Sequence, residues 1–159
     1  MKRLPTALLV TSLILIGCGK QPSTPSNPQS VEILLSQGPV SAWRIPFTRQ
    51  GTGSVVCRYI VSGEDKPREY PVEGDSLVLT TVDQDGFLTI IHSSRSEGES
   101  TAVTFKIEHP LSGDMRVEGP NAVAVEPKGR TVWKKTWESP ETRDTVFSVE
   151  LVAYLKPAT

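Results

Sequence analysis

The feature that most constrains this chain is the distribution of its apolar residues, which from Val31 onward fall in short β-rich runs separated by Gly, Pro, Asp and Ser. No stretch long enough for a helix carries apolar residues at i, i+3, i+4 and i+7. Many short strands with frequent turns are typical of two packed antiparallel sheets. We therefore predict that residues 31–159 form an all-β domain, an antiparallel β-sandwich of about eight or nine strands, immunoglobulin-like or fibronectin-like in shape.

Prolines mark the boundaries of the predicted strands, because they lie between the apolar runs, at positions 71, 110, 120, 127 and 140. Residues 43–47 are predicted as an irregular edge segment, since Pro46 has no N–H to donate to a neighbouring strand. The predicted strands are residues 31–36, 54–62, 76–82, 87–92, 101–108, 115–118, 122–126, 131–138 and 145–155.

A first hairpin is predicted from the loop at residues 83–86, Asp-Gln-Asp-Gly, which would pair Val82 with Phe87. Strand alternation then gives one face with Leu77, Leu79, Leu88 and Ile90, and a second with Val78, Thr80, Val82, Phe87, Thr89 and Ile91. Both faces are largely apolar, so the hairpin is either covered on both sides or offers the second face to a partner. The candidate interaction surface on that face consists of Val78, Val82, Phe87 and Ile91.

A second hairpin is predicted from the turn at residues 127–130, Pro-Lys-Gly-Arg, which would pair Val125 with Val132. If the valine face is the core, Trp133, Lys135 and Trp137 point to solvent, although one β-bulge would reverse this assignment. Exposed tryptophans stack on sugar rings and anchor protein interfaces, so these three residues, joined by Trp43, are a second candidate interaction surface. Burial of each tryptophan in the core is nevertheless the favoured role, since tryptophan is highly buried on average.

The amino-terminal segment has the features of a secretion signal. Lys2 and Arg3 precede an apolar run from Leu4 to Ile16, which is shorter than the roughly 20 residues of a membrane-spanning helix. The run ends in Leu-Ile-Gly-Cys at residues 15–18, which resembles the lipobox of bacterial lipoprotein precursors. This resemblance implies cleavage between Gly17 and Cys18 and attachment of a diacylglycerol lipid to the Cys18 thiol. An ordinary signal peptide with a chance cysteine is the alternative.

The resemblance covers residues 1–18 only, and it implies an extracytoplasmic protein whose partner is the lipid bilayer, reached through Cys18. Gly19 stands where an aspartate would favour retention in the inner membrane, so we expect the outer membrane in a cell that has one. The outer face of a single plasma membrane is the alternative. Residues 18–30 are rich in Pro and Ser and read as an extended tether, which leaves residues 31–159 as one domain.

Few side chains of the usual catalytic kinds are present. Two histidines, His92 and His109, lie apart, and Cys57 is left without a partner once Cys18 is lipidated. Cys57 lies in a strand-like run, so we expect it to be buried as a small apolar residue; an intermolecular disulfide is the alternative. Asp83 and Asp85 resemble the start of a calcium loop, but the twelfth position lacks the usual glutamate, and a hairpin turn is favoured. We expect no cofactor, no metal and no enzymatic activity.

Charge argues against nucleic acid as a partner, because 17 Lys and Arg are balanced by 18 Asp and Glu, and they are interspersed. The expected function is that of a membrane-anchored extracytoplasmic lipoprotein, a non-catalytic interaction or accessory subunit that contacts another envelope protein. The alternative is a β-sandwich module that binds a glycan or small ligand through exposed tryptophans.

Overall fold

The computed structural model describes residues 30–158, so the predicted signal peptide, Cys18 and most of the tether lie outside the described residues. The predicted all-β antiparallel sandwich is confirmed, with eleven strands instead of eight or nine. No helix within residues 30–158 is long and apolar enough to cross a membrane. The strands are β1 Glu32–Gln37, β2 Val40–Arg49, β3 Ser54–Val61, β4 Arg68–Val72, β5 Ser76–Gln84, β6 Phe87–Ser96, β7 Glu99–Glu108, β8 Asp114–Glu118, β9 Val123–Val125, β10 Arg130–Glu138 and β11 Thr145–Lys156.

The strands form two sheets with the core between them. Sheet 1 has the order β1-β2-β5-β6-β7, and β9 joins it by pairing in parallel with β2. Sheet 2 has the order β4-β3-β11-β10-β8. All other pairings between these strands are antiparallel. The strands β1 and β8 are therefore the terminal strands of their sheets, and this placement positions the site described below.

Strand alternation predicted the inward faces of the central strands correctly. On β5 and β6, the core face consists of the fully buried Leu77, Leu79, Leu88 and Ile90. On β11, the predicted stripe is also buried, at Val149, Leu151, Ala153 and Leu155. Cys57 lies in the same core as a free thiol, and its burial raises the pKa of the thiol well above the usual value. The prediction that Cys57 is buried is confirmed.

The predicted register of the β5–β6 hairpin is wrong by two residues. The turn consists only of Asp85 and Gly86, whose φ angles of 54° and 79° suit a two-residue hairpin turn of type I′. Val82 consequently pairs with Thr89 instead of Phe87. A shift of two residues preserves which side chains share a face, because strand alternation has a period of two. The assignment of the two faces is therefore unaffected.

The second predicted hairpin does not form. Strand β9 pairs in parallel with the end of β2, where Phe47 lies opposite Val123, and β10 pairs instead with β11 and β8. The expectation that residues 43–47 form an edge segment is also wrong, since β2 lies between β1 and β5. Pro46 is tolerated there because Phe47 N donates toward β5, to Asp75 O. The missing N–H of Pro46 therefore faces the gap between β1 and β9.

Two neighbouring isoleucines test this assignment of faces. Ile90 is fully buried between the sheets, whereas Ile91 is partly exposed on the outer face of sheet 1. We expect Ile90→Ala to lower the free energy of unfolding by about 2–5 kcal/mol, and Ile91→Ala to lower it by less than half as much. Urea denaturation of both variants measures the difference. Equal losses would show that both faces are core.

Candidate functional site

Trp133 and Trp137 are buried, which is the role favoured from the sequence, and the candidate exposed surface that they would form with Lys135 is wrong. Trp133 is only 1% exposed, and Trp137 and Lys135 are buried with it. The cause is a β-bulge, because the pairing of β10 with β11 is shifted between Thr131 and Trp133 and leaves Val132 as an extra residue. An extra residue reverses which side chains face the core in the rest of the strand. Val132 and Trp133 both point inward, and the tryptophans do not form an exposed stripe.

Trp133 and Lys135 of β10 line a cleft of about 350 Å³ between the two sheets, a volume within the range of ligand pockets. Strands of sheet 1 line it with Ser41, Trp43, Thr81 and Asp83, beside the β1–β2 turn. Strands of sheet 2 line it with Met115, Val117, Trp133 and Lys135. This cleft is named the Trp133 cleft below.

The Trp133 cleft is open on the side of β8, where the core face of sheet 2 continues into solvent. Met115 and Val117 lie directly opposite Trp137 and Lys135 in the pairing of β8 with β10, so they share the inward face. Their partners are buried, yet Met115 is 56% and Val117 47% exposed. Apolar side chains that face a cleft and remain exposed are typical of a ligand-binding groove.

Trp133 contributes an unpaired polar atom to this site. Its Nε1 is buried and has no hydrogen-bond partner in the described part of the chain. The indole N–H can only donate, and a buried tryptophan usually finds an acceptor. A buried donor left without one costs about 1–3 kcal/mol. Trp133 lines the cleft, so an oxygen atom bound there would supply the missing acceptor once the side chains that cover Nε1 move aside.

A buried ion pair joins the two sheets at the same cleft. Lys135 Nζ donates to Asp83 Oδ2, and His109 Nε2 lies 3.0 Å from Asp83 Oδ1. The ring of Trp137 packs against both partners of Asp83, with its centroid 4.5 Å from that of the His109 ring and 5.3 Å from Lys135 Nζ. Because a buried charge must be paired, Asp83 of β5 holds the ammonium of Lys135 in place.

The hairpin turn favoured for residues 83–86 forms at Asp85 and Gly86 only, and Asp83 lies in β5. Both carboxylate oxygens of Asp83 face cationic or N–H donors of Lys135 and His109, and Asp85 occupies the turn. Among residues 30–158 no group of three or more His, Cys, Asp or Glu side chains is arranged to hold a metal ion.

The first candidate surface lies on the outer face of sheet 1, away from the Trp133 cleft. Val78, Val82 and Ile91 are partly buried there, and Phe87 is exposed beneath Lys106, whose Nζ lies 5.8 Å from the ring centroid. The two surfaces that the sequence analysis identified are therefore on opposite sides of sheet 1. They do not combine into one site.

His92 is part of the core and faces away from solvent. Its Nε2 lies 3.3 Å from Pro71 O, and its Nδ1 lies 3.0 Å from Tyr59 Oη. A carbonyl oxygen only accepts, so Nε2 carries the proton and the Tyr59 hydroxyl donates to Nδ1. Burial lowers the pKa of His92 and favours its neutral form. Both ring nitrogens of His92 therefore make hydrogen bonds within the sandwich.

Sequence reasoning missed several residues of the Trp133 cleft: Ser41, Thr81, Met115, Val117, and Asp83 as the partner of Lys135. A signal was present for two of them. Strand alternation from Leu77 and Leu79 places Thr81 and Asp83 on the core face, where polar residues are unusual. Nothing local marks the others, because the pairing that brings them together joins distant segments.

The chain matches no protein-family model, no curated protein and no solved structure at a significant level. The function proposed below therefore rests on the geometry of the site and on the amino-terminal motif.

Loss of one member of the Asp83–Lys135 pair is expected to destabilise the protein more than loss of both. Asp83→Ala leaves a buried ammonium unpaired, and we expect the free energy of unfolding to fall by about 3–5 kcal/mol. Asp83→Ala combined with Lys135→Met replaces the pair with apolar groups and is expected to recover at least half of that loss. Urea denaturation of the single and double variants measures the coupling. Strictly additive losses would contradict a direct interaction.

Proposed function

We propose that this protein is a lipid-anchored, non-catalytic binding protein of the bacterial cell envelope, which holds a small ligand in the Trp133 cleft. The anchor is the lipid on Cys18, inferred from the lipobox at residues 15–18. Two or three acyl chains give stable attachment to a bilayer. The domain is held outside the cytoplasm, at the outer membrane where the cell has one and otherwise at the outer face of the plasma membrane.

The observation that carries the binding role is the unpaired Nε1 of Trp133. Trp133 lines a cleft whose other walls include the apolar Trp43, Met115 and Val117. A mainly apolar pocket with a few placed polar groups is the usual composition of a small-ligand site. The ion pair in the cleft also favours binding over catalysis. Asp83 and Lys135 bond to each other and are therefore poorly placed to exchange protons with a substrate.

A second candidate is a role as accessory subunit, in which another envelope protein docks on the outer face of sheet 1. On that face the cross-strand row Ala42–Thr80–Ile91 carries no charged side chain, and the adjacent row Val40–Val82–Thr89 carries none until it reaches Lys106 on β7. Charge-depleted apolar rows are typical of interface centres. Crosslinking in cells to one envelope protein, lost in a folded Val82→Glu variant, would favour this role.

Filling the Trp133 cleft is expected to abolish ligand binding. Ser41→Leu adds an apolar side chain inside the cleft, and Thr80→Leu makes a similar change on the outer face of sheet 1. The readout is the indole ¹H–¹⁵N signal of Trp133 in the full chain, with a panel of small uncharged sugars, amides and alcohols. We expect shifts in the wild type and in Thr80→Leu, but none in Ser41→Leu. A Trp133 signal that no compound shifts would contradict the proposal.

The anchor is tested separately at Cys18. We expect Cys18→Ser to remove the lipid acceptor, so that the protein leaves the membrane fraction or stays at precursor size. Cys57→Ser is the matched control, since Cys57 is a buried core residue and its substitution leaves the lipobox intact. Membrane fractionation and mass spectrometry give the readout. Unchanged mass and membrane association of Cys18→Ser would contradict lipidation.

A further inference from the structure

We propose that the ligand of the Trp133 cleft is a neutral sugar ring, an inference that rests on the proposed function of this cleft. A pyranose has two apolar C–H faces and a rim of hydroxyl groups, each able to donate and to accept a hydrogen bond. The cleft likewise combines apolar walls with hydroxyl and N–H groups.

The apolar walls suit the faces of a ring. Trp43 of β2 is partly buried and packs against the core, and it lines the cleft from sheet 1. Met115 and Val117 line it from sheet 2 and remain half exposed. The indole of Trp43 on one side and the apolar side chains of Met115 and Val117 on the other would hold a sugar ring between the two sheets.

Trp133, which lines the cleft, carries a donor, Nε1, that has no partner in residues 30–158, and a ligand that accepts a hydrogen bond would satisfy it. Ser41 and Thr81 present hydroxyl side chains in the same cleft, across from each other in the pairing of β2 with β5. A hydroxylated ring satisfies donors and acceptors together, whereas a hydrocarbon would leave the indole N–H unpaired.

The charges of the cleft favour an uncharged ligand. Its two ionic side chains, Asp83 and Lys135, are paired with each other, so their charges cancel. A carboxylate or ammonium group on a ligand would have to disrupt this buried pair or be buried without its own counter-charge. A neutral hydroxyl can bond to either member without separating them, because an ammonium has three donors.

A matched series of sugars tests the proposal. The probes are glucose and N-acetylglucosamine, which are neutral, glucuronate, which is anionic, and glucosamine, which is cationic at low pH; cyclohexanol supplies a ring with one hydroxyl. The indole signals of the full chain in detergent are followed during each titration. We expect saturable shifts of the Trp133 signal by a neutral sugar, with at least tenfold weaker binding of both charged sugars and of cyclohexanol.

Two substitutions assign the contact to the indole nitrogen. Trp133→Phe keeps an aromatic ring and removes the donor, and we expect at least tenfold weaker sugar binding, detected by calorimetry. Thr80→Leu on the outer face of sheet 1 is the control, and it is expected to bind as the wild type does. Should Trp133→Phe fail to fold, the wild-type titration still decides.

The outcomes separate this proposal from the proposed function. Shifts of the Trp133 signal by cyclohexanol or by other small compounds, but not by any sugar, would overturn the sugar assignment and leave the binding role intact. Tighter binding of a charged sugar would overturn the requirement for neutrality. A Trp133 signal that no compound moves would overturn both.

Discussion

The bulge at Val132 is the constraint on which the site depends. Without it, an inward Val132 would leave Trp133, Lys135 and Trp137 on the outer face of sheet 2. The extra residue turns all of these side chains into the core. A lysine that points between two sheets needs a counter-charge, since an unpaired buried ammonium is strongly unfavourable. The ion pair with Asp83 is therefore a consequence of the bulge.

Asp83 meets this need only because the turn between β5 and β6 is short. Asp85 and Gly86 adopt positive φ angles and form the whole turn, so Asp83 and Gln84 remain in the strand. A four-residue loop starting at Asp83 would have placed its carboxylate in solvent and left Lys135 without a partner. The short β5–β6 turn in sheet 1 therefore allows the bulge in sheet 2, because it keeps Asp83 in place as the counter-charge of Lys135.

Sequence patterns predicted the features that depend on neighbours along the chain, such as the core stripes of β5, β6 and β11, because strand alternation is local. They failed where distant residues decide. The turn residues between β9 and β10 predict a hairpin, but β9 pairs with β2. Strand β4 was not predicted because Arg68, Glu69 and Pro71 interrupt any apolar alternation. The Trp133 cleft draws on β2, β5, β8 and β10, so its existence follows from pairing that no local pattern contains.

Two features of the Trp133 cleft lower the stability of the folded protein: an unpaired indole N–H and two exposed apolar side chains. A phenylalanine in place of Trp133 would keep a ring in the core and remove an unpaired donor that costs about 1–3 kcal/mol. Met115 and Val117 likewise forgo part of the stabilisation of burial, about 25 cal/mol for each Å² left in water. A single occupant that accepted a hydrogen bond from the indole N–H and covered the apolar edge would remove both penalties, which is the relation expected if the proposed ligand binds in this cleft.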